Sequence, residues 1–195
     1  MKIILASKSP RRRKMLKELG IKYTLWNGEA DESVSREYKP HTLVKLLAKR
    51  KALAAYNDIK TKDTLIISAD TVVALNGKIL GKPKDDSDAR NMLRSMSNTN
   101  HSVYSGVAAI YNGRIVCDYQ KTDIKFRDIT DNEIERYLKT GEHRDKAGSY
   151  GIQEKGGYFV EKINGDIYNV LGLPVLKLRN MILKEFSIDI FNLEQ

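Results

Sequence analysis

The chain has 195 residues, enough for one well-packed core and at most a domain and a half. Its 41% hydrophobic and 30% charged residues are ordinary for a soluble globular protein, and no run approaches the roughly 20 apolar residues of a membrane span. A net charge of +9 suits nucleic acid, an anionic membrane surface or a polyanionic small molecule, but lysines dispersed among scattered tyrosines make no basic groove with stacking rings.

Strand and helix signals alternate along the chain. Lys2-Ile3-Ile4-Leu5-Ala6 reads as a buried strand that breaks at Ser7, Ser9 and Pro10. An amphipathic helix follows, with Ser9 as its N-cap and Pro10 in its first turn. A second strand is expected over about 22–27, and Pro40 opens a helix over about 41–56 with Leu43, Leu46, Leu47, Leu53 and Ala54 on one side. Thr64-Leu65-Ile66-Ile67-Ser68-Ala69 is a continuous apolar strand, Asp70–Leu75 follows it, and Asn76-Gly77 is a hairpin signal. Asp86 or Ser87 caps a helix over about 86–96. Strands at about 102–111 and 114–126 flank a second hairpin signal, Asn112-Gly113. Thr130 and Glu133 form a capping box for a helix ending at Gly141, and a strand near 157–163 and a helix after Pro174 complete the pattern. Hairpins and helical crossovers together imply one α/β domain over residues 1–195 with a mixed sheet.

Several absences narrow the setting. The apolar run at the start is about five residues long and charges follow at once, unlike a signal peptide. A single cysteine, Cys117, leaves no internal disulfide and fits a reducing cytoplasm. His41, His101 and His143 lie far apart with no cysteine nearby, which argues against a structural zinc site.

Four polar clusters interrupt this scaffold where strands are expected to end. The first, Ser7 to Arg12, gathers two hydroxyls, arginines and a helix N-terminus around one small volume, a lining that favours phosphate. The second is Asp70-Thr71, where the carboxylate can hold Mg²⁺ or accept a proton from water, or can simply bond its own turn. The third is Gly81-Lys82-Pro83-Lys84, a stiff loop that can aim one ammonium. The fourth runs from Asp145 through Gly148 and Gly151 to Gln153, whose amide can meet a base edge with two hydrogen bonds. Glu32 can supply a second carboxylate, or be an exposed loop acid. Lys51 can face the same cleft, or be one more solvated helical lysine. Trp26 reads as core.

In order and in register, Ala-Ser-x-Ser-Pro-Arg-Arg, Ser-Ala-Asp-Thr-Val-Val, Gly-Lys-Pro, Asp-Lys-Ala-Gly-Ser-Tyr-Gly-Ile-Gln and Asn169-Val170-Leu171-Gly172-Leu173-Pro174 resemble the Maf family of nucleotide pyrophosphatases. The resemblance runs from residue 3 to about residue 180. It implies an elongated, two-lobed α/β fold with a central cleft, similar to that of inosine triphosphate pyrophosphatases. It also implies hydrolysis of a nucleoside triphosphate between the α- and β-phosphates with a divalent metal, Mg²⁺ or Mn²⁺. The family's catalytic positions fall on Asp70, Glu32 and Lys82, its phosphate-binding positions on Ser7, Arg12 and Lys51, and its metal ligands on Asp70 and Glu32. The Arg/Thr/Gln pattern of its dTTP/UTP branch falls on Arg11, Thr71 and Gln153, where a 7-methyl-GTP branch carries Trp, Gln and Glu. Ser149 replaces a common Ala, and Arg13 is an addition.

The resulting expectation is a cytoplasmic pyrophosphatase that clears dTTP, UTP and related modified pyrimidine nucleotides. Its partner is a nucleoside triphosphate, with no membrane and no nucleic acid, and the oligomeric state, a homodimer included, is left open. The competing expectation is a regulatory protein that binds nucleic acid or a cell-division partner without turnover, supported by the basic charge alone.

Overall fold

The computed structural model describes residues 1–60 and 62–192. The order is β1 (Lys2–Ala6), α1 (Pro10–Glu18), β2 (Thr24–Leu25), α2 (Pro40–Ile59), β3 (Thr64–Leu75), β4 (Lys78–Leu80), α3 (Asp86–Met96), β5 (Asn100–Tyr111), β6 (Arg114–Phe126), α4 (Asp131–Leu138), β7 (Val160–Asn164), α5 (Ile167–Val170) and α6 (Val175–Phe186). The seven strands form one sheet in the order β2-β1-β3-β5-β6-β7, with β4 beside the far end of β3. β2, β1 and β3 run parallel, and the other pairings are antiparallel, so the mixed sheet expected from the connections is present.

One detail of register creates the site. β1 pairs with β3 from Thr64 to Ser68, and β4 pairs with the same edge of β3 only from Val73 to Leu75. Between them Ala69, Asp70, Thr71 and Val72 pair with β5 on their other side, leaving a notch in this edge of the sheet among the described residues. The two strands fall short for different reasons. β1 ends at the serines before Pro10, which start α1, and β4 is a three-residue hairpin arm whose register is set by Asn76-Gly77 and which ends at Gly81-Lys82-Pro83. Both turn residues adopt the left-handed conformation of a tight hairpin turn.

The core divides to match. On one face of the sheet, α1 and α6 cover Leu5, Leu65 and Ile67 with Leu16, Leu178 and Ile182. Further along the same strands, α3 and α4 pack Leu93, Met96 and Ile134 around Phe126. Between these two apolar clusters the inward positions on β3 and β5 are Thr71 and Ser105, so a polar seam separates two lobes that share the long strands. On the opposite face α2 presents Ala48, Ala52 and Ala55 to Ile66, Ala108 and Ile110. Small residues on the helix allow a close approach, and Gly106 completes it, since a Cβ there would lie 2.3 Å from the carbonyl oxygen of Val44.

Several local expectations are corrected. β3 is continuous through Asp70, which lies mid-strand and pairs with Gly106, because β5 supplies an unbroken ladder across residues 66–74. The turn-forming alternative for Asp70 therefore does not hold. The strand expected over 22–27 shrinks to Thr24–Leu25, which adds only two pairs to the sheet edge. Ser9 occupies the N-cap position of α1, but its hydroxyl caps nothing; only its carbonyl accepts, from the Arg13 N–H. Asp85, one residue earlier than expected, caps α3 by accepting from the Asp88 N–H at 2.8 Å. The capping box of α4 forms as expected, but the helix ends at Leu138, three residues before Gly141. The first residues of the expected strand at 157–163 are a 3-10 turn, Lys155–Phe159. Trp26 packs half-buried against the α2 cluster and donates its indole N–H to Asp58 at 2.9 Å.

Candidate active site

Arg12, on the first turn of α1, enters the notch and is buried. Its Nε donates to the Gly172 carbonyl at 2.7 Å, Nη1 to the Ala69 carbonyl at 2.8 Å and the Ser7 hydroxyl at 3.1 Å, and Nη2 to the Thr71 hydroxyl at 3.0 Å. The Ala69 carbonyl lies where neither β1 nor β4 reaches, so the guanidinium takes the place of a missing strand. Of the five N–H donors of an arginine, four are used and one, on Nη2, is left. Every bonded partner is a neutral oxygen. Burial pushes the pKa of this group down, nearby Asp70 and Glu32 push it back up, and Arg11 presses it down again. A guanidinium stays protonated through such shifts, so the notch holds a buried positive charge with no carboxylate bonded to it among the described residues.

Asp70 points to the other face of β3, toward α2. Lys51 reaches it from the helix, with Nζ 2.6 Å from Asp70 Oδ1 and 3.2 Å from Glu32 Oε1. The Lys51 and Asp70 side chains are nearly enclosed, whereas Glu32 stands on the exposed loop between β2 and α2. That loop is tied to the helix by Arg50, which donates to the carbonyls of Asp31 and Ser33. Two carboxylates thus converge on one cation. The same pair of oxygens suits a hard divalent ion, which takes one or two protein carboxylates and completes its shell with phosphate oxygens and water. Among the described residues no third His, Cys, Asp or Glu joins them. Residues Glu32 and Asp70 would hold such an ion, and it would supply Lewis-acid polarisation of a phosphate.

The remaining expected residues lie apart. Ser7, Arg12 and Thr71 form one cluster, and Lys51, Asp70 and Glu32 form another across the β3 backbone. Arg11 is half-buried beside Arg12, close enough to act on its charge. Lys82 is exposed on a loop held by the Gly148 N–H, which donates to the Gly81 carbonyl at 3.0 Å. Gln153 is exposed and, with Glu142, Lys155 and Tyr158, lines a separate shallow depression that is open to solvent. Among the described residues Arg11, Lys82 and Gln153 make no hydrogen bond to either cluster. Asn169 and Ser105 carried no assigned role, yet both are fully buried, Ser105 bonded to Thr71 and Asn169 bonded to Ser105. Asn169 could have been suspected from its motif; Ser105 carries no sequence signal, because only the β3–β5 register brings it opposite Thr71.

A sheet notch lined by a buried guanidinium, with two carboxylates and an ammonium behind it, lies at the junction of two α/β lobes. The Maf-like protein family matches residues 2–185, and the chain belongs to that family. It is 44% identical to the dTTP/UTP pyrophosphatase of Alkaliphilus metalliredigens (strain QYMF) over 191 residues, 97% of this chain and 98% of that one. It is 47% identical to the dTTP/UTP pyrophosphatase of Clostridium novyi (strain NT) over 181 residues, 91% of this chain and 94% of the other. A looser likeness in fold relates it to the Staphylococcus aureus Ham1 protein, with a TM-score of 0.49 and 15% identity over 66% of this chain and 73% of that one.

Proposed function

We propose that this chain is a nucleoside triphosphate pyrophosphatase that hydrolyses dTTP and UTP to the monophosphate and pyrophosphate. The observation that carries this reading is Arg12: a buried positive charge whose partners are all neutral and which keeps one N–H to give. A phosphate oxygen supplies the missing negative charge and the missing acceptor together. The names of the full-length relatives supply the substrate class.

In this reading the triphosphate enters the notch between Ser7 and Thr71, and Lys51 and Arg12 neutralise it. A water oxygen attacks the α-phosphorus in line, the bond to the oxygen bridging to the β-phosphorus breaks, and pyrophosphate leaves with that oxygen. Asp70 acts on the water, as acceptor of its proton or as part of the metal site with Glu32. Lys51 bonds the two carboxylates with two of its three N–H donors, which leaves one for a phosphate oxygen, and the exposed Glu32 is the partner freer to move. Lys82, exposed on its own loop, contributes a further positive charge to the leaving pyrophosphate. Arg11, Thr71 and Gln153 select the base. This chemistry needs positioning and charge neutralisation more than a covalent intermediate.

The reaction belongs in the cytoplasm, where the single free and exposed Cys117 stays reduced. Among the described residues no helix is long and apolar enough to cross a membrane. The deciding experiment is pyrophosphate release from a panel of nucleoside triphosphates with Mg²⁺ or Mn²⁺ and with excess chelator. Release from dTTP and UTP that is lost on chelation supports the reading. Absence of release across the panel, with retention on nucleic acid, would instead favour the regulatory alternative.

A further inference from the structure

The seam between the two lobes contains a hydroxyl pair whose proton direction can be worked out. Ser105 is opposite Thr71 in the β3–β5 register, and their hydroxyl oxygens are 2.8 Å apart. The Ser105 hydroxyl also lies 2.9 Å from the Asn169 carbonyl, which can only accept. That carbonyl is held in place by its own side chain. Asn169 Oδ1 accepts from the Ser105 N–H at 3.1 Å, and Nδ2 donates to the Val103 carbonyl at 3.0 Å and the Thr122 hydroxyl at 2.9 Å. Ser105 has one proton, and Asn169 takes it. Its oxygen is then an acceptor toward Thr71, so the Thr71 proton points at Ser105. The Thr71 oxygen is left with lone pairs toward Arg12 Nη2, 3.0 Å away.

We infer that Ser105 is a positioning residue for Arg12, acting through the hydroxyl of Thr71. Without the Ser105 oxygen, the next acceptor for the Thr71 proton is the Gly172 carbonyl at 3.4 Å. That carbonyl already accepts from Arg12 Nε at 2.7 Å. That oxygen has two lone pairs and can take both donors, but sharing it with the Thr71 hydroxyl weakens the Nε bond that orients the guanidinium. The relay Asn169–Ser105–Thr71 therefore keeps Gly172 for Arg12 and fixes the plane from which the remaining Nη2 proton projects. Neither Ser105 nor Asn169 needs to touch substrate for this.

The catalytic side of this inference rests on the pyrophosphatase reading, and the experiment separates the two. In arginine-labelled protein, exchange of the Arg12 Nε proton with solvent is followed by NMR in wild type, Ser105→Ala and Thr71→Val. Both variants should exchange at least fivefold faster, and unchanged exchange overturns the relay whether or not the protein is an enzyme. In parallel, Ser105→Ala should lower kcat/KM for dTTP and UTP by about tenfold each, the scale of one lost hydrogen bond. In an Arg12→Lys or Thr71→Val background the same substitution should add less than twofold. Full multiplication of the losses would mean that Ser105 acts on its own or through general stability, and would overturn the inference. Ser105→Cys, which keeps a weak donor in the same place, should fall between Ser105→Ala and wild type in both measurements, and carries the test should Ser105→Ala fold poorly. A wild type that releases no pyrophosphate defeats the proposed function but leaves the exchange measurement to judge the relay.

Discussion

The Lys51 ammonium lies 2.6 Å from Asp70 Oδ1, a pair joining the middle of α2 to the middle of β3 with both side chains nearly enclosed. Each member leaves the other exposed to the consequences of its loss. Asp70→Asn should reduce pyrophosphate release by 10²-fold or more, because an amide neither accepts the water's proton nor holds a divalent cation well. Circular dichroism and the elution volume should stay those of wild type. A folded variant with near-normal turnover would remove Asp70 from the reaction.

Arg12→Lys should weaken catalysis without altering base preference. A lysine cannot reproduce the fork that meets Gly172, Ala69, Ser7 and Thr71 together. The expected result is a rise in KM, with kcat/KM for dTTP and UTP falling by the same factor, about tenfold or more. A loss confined to one nucleotide would mean that this side chain reads the base.

Base choice should respond to Gln153 instead. Gln153→Glu places a carboxylate opposite the O4 acceptor of a pyrimidine, and an unmatched polar pair of that kind costs about 1–3 kcal/mol. Turnover of both pyrimidine substrates should drop about tenfold. The triple change of Arg11→Trp, Thr71→Gln and Gln153→Glu should also raise activity on 7-methyl-GTP. Unchanged ratios among the three nucleotides would show that these positions do not select the base. Because Thr71 supports Arg12 as well, its substitution should lower the overall rate in addition to any shift in ratio.

Gly106→Ala is expected to be among the most damaging small substitutions outside the site. The added methyl would sit 2.3 Å from the Val44 carbonyl, and the obstacle is helix backbone, which cannot rotate away. α2 must lift from the sheet, carrying Lys51 with it. Thermal denaturation should show a loss on the order of 1–3 kcal/mol, the range of overpacking, accompanied by reduced activity. A wild-type melting temperature would mean that the helix is not seated as described.

Stability should fall between neutral and mildly acidic pH through His101. This residue is buried against Phe126 and Tyr150, and burial pushes its pKa down from 6.5 to about 4. The unfolded chain therefore binds a proton that the folded one refuses, and stability is lost as pH drops from about 6.5 to 4. The slope is at most about 1.4 kcal/mol per pH unit. Glu133, held low by Arg127, titrates at about 2 in the folded state and acts mostly below this window. His101→Gln should flatten the melting profile between pH 6.5 and 4. A profile as steep as wild type would assign the loss to other groups.

What the sequence determined by itself was local. Hydrophobic period, the two Asn-Gly turns and the capping box located the long elements, because each depends on residues a few positions apart. Helix boundaries slipped where competing signals adjoined, as with Asp85 against Asp86, and the strand at Asp70 was broken too early because a polar residue in an apolar run resembles an end. The ordered motifs likewise pointed to the family and to the residues that gather in the notch. Only the tertiary structure decided how those residues are shared out. Whether Arg12 is a solvated helical arginine or a buried cation depends on β1 and β4 both stopping short of Ala69, a matter of register between distant segments. The division of Asp70 and Thr71 between opposite faces follows from strand alternation, which places one beside Lys51 and the other beside Arg12. Ser105 gains its partner in the same way: nothing near it in the chain marks it, and the antiparallel ladder sets it across from Thr71.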